Sequence, residues 1–195
     1  MKRLAAVIGL LLALACAFAA PAAQAQGARA APPESAQFDF LVGQWELEVT
    51  PKVAGLAAMV HGSPRLVGSW KAWRAFDGLG VDDEIRITDA SGNPMALSRT
   101  LRVYDPKTRQ WLLQSLDAYG ARFTAGTARW EGGEMRLQGS GVHADGRPYV
   151  SRSRFFEIGP DRFRMEQDRS FDNGASWDEG VLKVSAKRVS AKAVR

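Results

Sequence analysis

Protein chemistry needs side chains that hold a metal, attack an electrophile or move a proton, and this sequence is poor in them. His61 and His143 are its only histidines and Cys16 its only cysteine. His61 stands directly before Gly62 and His143 two residues after Gly141, so both read as surface-loop residues. Neither belongs to an H-x-H or H-E-x-x-H spacing, and no metal is expected. No G-x-S-x-G nucleophile elbow occurs, and Gly139-Ser140-Gly141 is too short to be one. Gly78-x-Gly80 reads as a hairpin turn rather than a phosphate loop, because no helix follows it. A Ser–His–Asp triad requires only spatial proximity, but two loop histidines are a weak basis for one. No catalytic residue is assigned and no cofactor is expected.

What remains are polar residues on faces that should point inward. Val81, Ile85 and Ile87 share a strand face with Asp83, Leu101 and Val103 share one with Arg99, and Phe163 and Met165 share one with Gln167 and Arg169. A buried charge needs a partner or a polar ligand. Asp83 paired with Arg99 or Arg169 is therefore the expected internal pair, either orienting a bound molecule or forming a salt bridge at the rim. Trp70, Trp111 and Phe123 would supply apolar pocket wall, or plain core. As an acid–base group, Asp83 or Glu166 would serve an isomerase or hydrolase if burial raised its pKa.

The elements that must carry these residues are strands. Runs of alternating apolar and polar residues, separated by Gly, Pro, Asp and Asn turn signals, predict ten of them: 42–49, 66–76, 81–88, 96–104, 110–117, 122–130, 134–142, 148–158, 162–170 and 176–188. Only a short segment around Val53–Val60 has any helical character. Ten sequential strands with hairpin-length links predict an all-β, up-and-down antiparallel barrel over 37–189, since closure removes exposed edges. A β-sandwich is the alternative. Residues 26–36, rich in Ala and Pro, are expected to be a disordered lead-in, and 190–195 a frayed basic tail.

Phe38-Asp39-Phe40-Leu41-Val42-Gly43-Gln44-Trp45 opens the domain. Its Gly43-x-Trp45 resembles the G-x-W signature of lipocalins and other calycins. The resemblance implies that Trp45 plugs the closed end and that a basic residue of the last strand, Lys183, Lys187 or Arg188, covers its face. Further segments extend the likeness: Phe76-Asp77-Gly78-Leu79-Gly80-Val81-Asp82-Asp83-Glu84, Leu101-Arg102-Val103-Tyr104-Asp105-Pro106, Gln110-Trp111 and a late Ser-x-Asp-x-Gly turn. In this order they resemble a bacterial family of exported calycin-like barrels of unknown function, which implies a fold and no activity. Related nitrobindin-type barrels bind haem through a late histidine, and this chain has none after His143. Ser170-Phe171-Asp172-Asn173-Gly174-Ala175-Ser176-Trp177 matches the Asp-box pattern. That pattern implies a hairpin turn in which Asp172 accepts backbone N–H groups, Gly174 takes a positive φ and Trp177 packs beneath. It occurs once, in a chain too short for a propeller, so a sialidase is not indicated. Asp172, Asp178 and Glu179 lack the ligand spacing of a calcium loop.

Lys2-Arg3, the apolar run Leu4–Ala20 and Ala23-Gln24-Ala25 together read as a cleavable signal peptide over 1–25. Cys16 lies inside the run, and Leu14 stands one place too late for a good lipobox. Cleavage would remove the only thiol and, with Lys2 and Arg3, leave 24 basic against 21 acidic residues, lowering the formal net charge from +5 to +3. The remaining charges are interspersed, with no basic stripe for nucleic acid. The expectation is a periplasmic or secreted barrel without stable membrane insertion after cleavage, binding a small, partly apolar ligand. The alternatives are the envelope enzyme above and a structural or interaction module with an exposed apolar patch.

Overall fold

The structure, a computed structural model, describes residues 30–53, 64–143 and 145–189. The expected signal peptide with Cys16, His61, most of the Val53–Val60 segment and the basic tail lie outside the described residues. The domain begins with a 3₁₀ helix, Pro33–Leu41, followed by ten strands: β1 (Gly43–Pro51), β2 (Leu66–Ala75), β3 (Gly80–Thr88), β4 (Pro94–Asp105), β5 (Gln110–Asp117), β6 (Arg122–Glu131), β7 (Glu134–Val142), β8 (Pro148–Phe156), β9 (Arg162–Ser170) and β10 (Asp178–Arg188). Each strand pairs antiparallel with its sequence neighbours, and β10 returns to β1, closing the barrel. The predicted ten-strand meander is therefore the fold, and the sandwich alternative is excluded. The first of these elements corrects one expectation. Residues 33–36 of the lead-in belong to the helix, with Ser35 buried, because Phe38 and Leu41 need a rigid approach to the core.

Alternation decides the faces. In β1, Trp45, Leu47 and Val49 point inward while Glu46 and Glu48 meet solvent. One half of the barrel is packed solid by Phe38, Leu41, Trp45, Trp70, Trp111, Met135, Phe155 and Phe163. Most aromatic pairs in this layer meet edge to face, with Phe38–Trp111 centroids 4.8 Å apart and Trp45–Phe163 4.7 Å apart.

This end is sealed by residues from both ends of the domain. The Trp45 indole N–H donates to the Leu41 carbonyl at 2.7 Å. The Arg188 guanidinium lies 4.0 Å above the Trp45 ring. It also donates to the carbonyls of Val42 at 2.7 Å, Phe40 at 3.1 Å and Pro160 at 2.6 Å. Gly43 is required here on two counts. Its φ is +131°, and a Cβ would overlap the Arg188 guanidinium at Nη1, which is held in place by its carbonyl partners.

Replacing Arg188 with methionine should lower stability by about 2–4 kcal/mol, since three carbonyls lose a charged donor and Trp45 loses its cation. Thermal denaturation should show a Tm drop of roughly 5–15 °C for a domain of this size. Arg188→Lys should restore only part of it, because one ammonium cannot span three acceptors.

Candidate functional site

Above the aromatic layer the inward residues become small. Ser98 on β4, Leu113 and Ser115 on β5, Thr124 and Gly126 on β6, Leu137, Gly139 and Gly141 on β7, and Ser151 and Ser153 on β8 line a cavity of about 520 Å³. Gln167 of β9 completes the wall. The register places these residues on one surface, with Ser115 opposite Thr124, Leu113 opposite Gly126, Gly126 opposite Gly139 and Gly139 opposite Ser151. Residues this small cannot fill the width of a ten-strand barrel, and the space they leave is the hollow. Its polar groups are hydroxyls and amides, together with the paired charges of Asp117 and Arg122. Thr100 and Ser115 share a hydrogen bond of 2.9 Å, and the Gln167 amide donates to Ser153 Oγ at 3.4 Å.

Gln167 is held from the other side by Arg169, whose Nε and Nη2 both donate to Gln167 Oε1 at 3.2 Å. The Arg169 guanidinium stacks 4.8 Å over Tyr149, and the hydroxyl end of Tyr149 occupies the space a side chain at Gly141 would need, 2.5 Å from its Cβ position. At the rim Asp117 accepts from Arg122 at 2.9 Å. This contact, with the Gly120 backbone N–H, holds the Asp117 carboxyl below the usual range.

The expected internal ion pair exists with a different partner. Asp83 is fully buried and accepts from the Trp70 indole at 2.9 Å, and its other oxygen meets Arg102 Nη1. Arg99 instead faces outward. Its Nε donates to Asp82 at 2.9 Å, and its guanidinium sits 5.4 Å from the Trp73 ring. The whole of β4 is one residue out of phase with the sequence expectation. Thr100, Arg102 and Tyr104 point inward, while Leu101 and Val103 remain 37% exposed. The energetics favour this phase. Partly exposing two aliphatics costs about 1–2 kcal/mol each, whereas an unpaired buried carboxylate costs several. Burial pushes the Arg102 guanidinium down to about 9, opposed by the charge of Asp82. The guanidinium also lies 5.2 Å from the Phe38 ring.

The remaining candidates separate by depth. Trp70 and Trp111 belong to the sealed layer rather than the cavity wall, with the Trp111 indole donating to Gln37 Oε1 at 3.0 Å. Phe123 points outward from β6, is 70% exposed and lines the cavity at its rim. Arg169 does not meet Asp83 and stays at the mouth with Gln167. Glu166 lies on the outer surface, bonded to Arg154 at 3.1 Å. Among the described residues no three His, Cys, Asp or Glu side chains are placed to hold a metal. His143 Nδ1 lies 3.1 Å from Asp145.

Ser170–Trp177 forms a tight turn. Asp172 accepts from Ser170 Oγ at 2.6 Å, Ser176 N at 2.8 Å and Ser176 Oγ at 2.5 Å. Gly174 has a φ of +93°, and Trp177 packs 3.7 Å from its Cβ position and under the Arg152 guanidinium at 4.4 Å.

Sequence reasoning missed Arg102 and the small residues of the cavity. The signal for the latter was present: Gly139 and Gly141, Ser151 and Ser153 alternate on single strand faces where a filled barrel would carry bulk.

Arg102→Met should cost about 3–5 kcal/mol by stranding the Asp83 carboxylate, and adding Asp83→Leu should recover more than half of the loss; urea denaturation of the three proteins checks this. The Ser170 and Ser176 hydroxyls hold the Asp172 carboxyl down at about 2. Its contribution is therefore complete above the unfolded value of about 4 and vanishes as pH falls toward about 2. Tm measured against pH should show Asp172→Asn below wild type at neutrality and the two converging across that window.

The sequence matches no protein-family profile and no curated protein. Among solved structures it resembles the S-type phycobiliprotein lyase CPES of Guillardia theta, with 10% identity and a TM-score of 0.55 over 80% of this chain and 92% of that one. It also resembles EF1p2_mFAP2b, solved with DFHBI, at 10% identity over 80% of this chain and 98% of that one. The TM-score of 0.41 gives that second likeness no weight. At such identity the likeness to the lyase extends to the fold alone: the chain is a closed, ten-strand antiparallel barrel of the calycin-like kind.

Proposed function

We propose that this chain is an exported, non-enzymatic barrel that binds one small, partly apolar molecule in the open half of its lumen. The observation that carries the reading is the cavity of about 520 Å³ above the aromatic layer. It falls within the roughly 300–1,000 Å³ range of small-molecule sites and combines apolar wall with a few convergent polar groups. Leu113 and Leu137 offer apolar contact, Ser115, Ser151 and Gln167 offer hydrogen bonds, and Arg169 fixes the Gln167 amide. Export is supported by Lys2-Arg3, the apolar run and Ala23-Gln24-Ala25. The non-enzymatic reading is supported by the commitment of Asp83 to Arg102, of Asp117 to Arg122 and of Glu166 to Arg154.

Two measurements test it. Native mass spectrometry of protein purified from a periplasm should show a co-purifying mass. An uncharged naphthylamine dye should bind saturably, one per barrel, with enhanced fluorescence. Gly139 points into the cavity with 3.5 Å between its Cβ position and the nearest side-chain atom. Gly139→Leu should therefore fill the space and weaken dye binding by about tenfold or more while Tm is held. Equal binding by the two proteins, or no saturable binding and no co-purifying mass, would overturn the proposal.

A further inference from the structure

The wall around the cavity is not continuous. β6 and β7 pair from Glu131 opposite Glu134 as far as Gly126 opposite Gly139, and the pairing ends there. Both strands run on toward the mouth. Arg122–Ala125 stays paired with β5, and Ser140–Val142 with β8. Between these two stretches no ladder joins the strands, and this unpaired seam is the slot.

Beyond the last pair, Phe123, Ala125, Ser140 and Val142, which point outward, border the cavity beside the inward Thr124 and Gly141. A second hollow of about 540 Å³ on the outer surface shares these residues and extends to Pro148, Val150 and Phe171. The two hollows adjoin along this seam, sharing residues 123–125 and 140–142 as lining. Among the described residues, the side-chain hydrogen bond that bridges it runs from Arg122 Nη1 to the Val142 carbonyl, and at 3.4 Å it is long.

The two sides differ in chemistry. Inside, the donors and acceptors are uncharged hydroxyls and amides, and the charged pair Asp117 and Arg122 is satisfied within itself. Outside, Phe123, Val142 and Phe171 form a partly exposed apolar shelf, with the Arg147 guanidinium stacked 4.4 Å from the Phe171 ring. A partly exposed apolar cluster adjoining a hydroxyl-lined cavity is the shape of a site for an amphiphile.

Building on the lumen reading above, we infer that the ligand passes sideways between β6 and β7 and rests across the slot. Its uncharged, hydrogen-bonding head lies among the hydroxyls, and its apolar portion lies on Phe123, Val142 and Phe171.

The test uses monodecanoylglycerol as the amphiphile, read by displacement of the naphthylamine dye. Continuing the strand register places Ala125 opposite Ser140, and the chain has no other cysteine once residues 1–25 are removed. Ala125→Cys with Ser140→Cys therefore places two thiols across the slot, to be joined directly by oxidation or, at a Cα separation above about 7 Å, through a disulfide-containing bismaleimide. In the stapled protein, with the link verified by mass, the association rate should fall by about tenfold or more and return on reduction. An unchanged rate in the stapled protein would overturn sideways passage. If that rate persists while Gly139→Leu still blocks binding, the lumen reading survives and only this inference falls. Phe123→Asp gives an independent readout. It should weaken monodecanoylglycerol at least about tenfold more than glycerol monobutyrate, whose chain is too short for the shelf. Equal weakening of both, or of neither, would overturn the shelf. If the wild-type protein binds neither compound nor dye, the lumen reading itself fails.

Discussion

Arg188 carries the closure of this barrel. Its guanidinium stacks on Trp45 of the first strand and donates to carbonyls of the incoming helix and of the β8–β9 turn. A long meander has two edges that would each leave a row of backbone groups unpaired. Pairing β10 with β1 removes both, and the residues that lock this seam also seal one end. Gly43 follows from the same contact, since any side chain there would occupy the space of the guanidinium. The aromatic layer above Trp45 is then a consequence of geometry. A ten-strand cylinder is wide, and only large side chains meet across it.

The same width explains the cavity. Where the inward residues are Trp, Phe and Met the lumen is solid, and where they become Ser, Thr and Gly it is empty. The change takes place along individual strands. β8 presents Phe155 to the core and Ser153 and Ser151 to the hollow. β7 presents Met135, then Leu137, then Gly139 and Gly141. Stability and binding are thus divided along the barrel axis. The sealed half supplies the apolar burial, so the open half is free of that demand, including the demand that its wall be fully paired.

Asp83 and Arg102 show how one buried charge sets the phase of a strand. Asp83 lies on the inner face of β3 among Val81, Ile85 and Ile87. The adjacent β4 can turn either of two faces inward, one with Leu101 and Val103, the other with Thr100, Arg102 and Tyr104. By hydrophobic pattern the first is preferable. By electrostatics the second is, because it brings a guanidinium to a carboxylate already removed from water. Arg99, one candidate for that role, is left outside with Asp82 and Trp73.

Much of this protein is legible in its sequence because it is local. Strand positions follow from alternation over a few residues and from turn signals, and the ten strands stand where these place them, within two residues at every end. Closure into a meander follows from short links between many strands. The helical approach of residues 33–41 was not legible, because Ala- and Pro-rich composition says nothing of the buried contacts that Phe38 and Leu41 find. Nor was the partner of Asp83, which depends on comparing burial energies across two strands rather than reading one. The cavity and its slot belong to tertiary structure for the same reason. An empty volume is the sum of what ten strands fail to fill, and no single strand records it. A gap between β6 and β7 arises only where two ladders diverge in space, although the glycines at 126, 139 and 141 were in the sequence from the start.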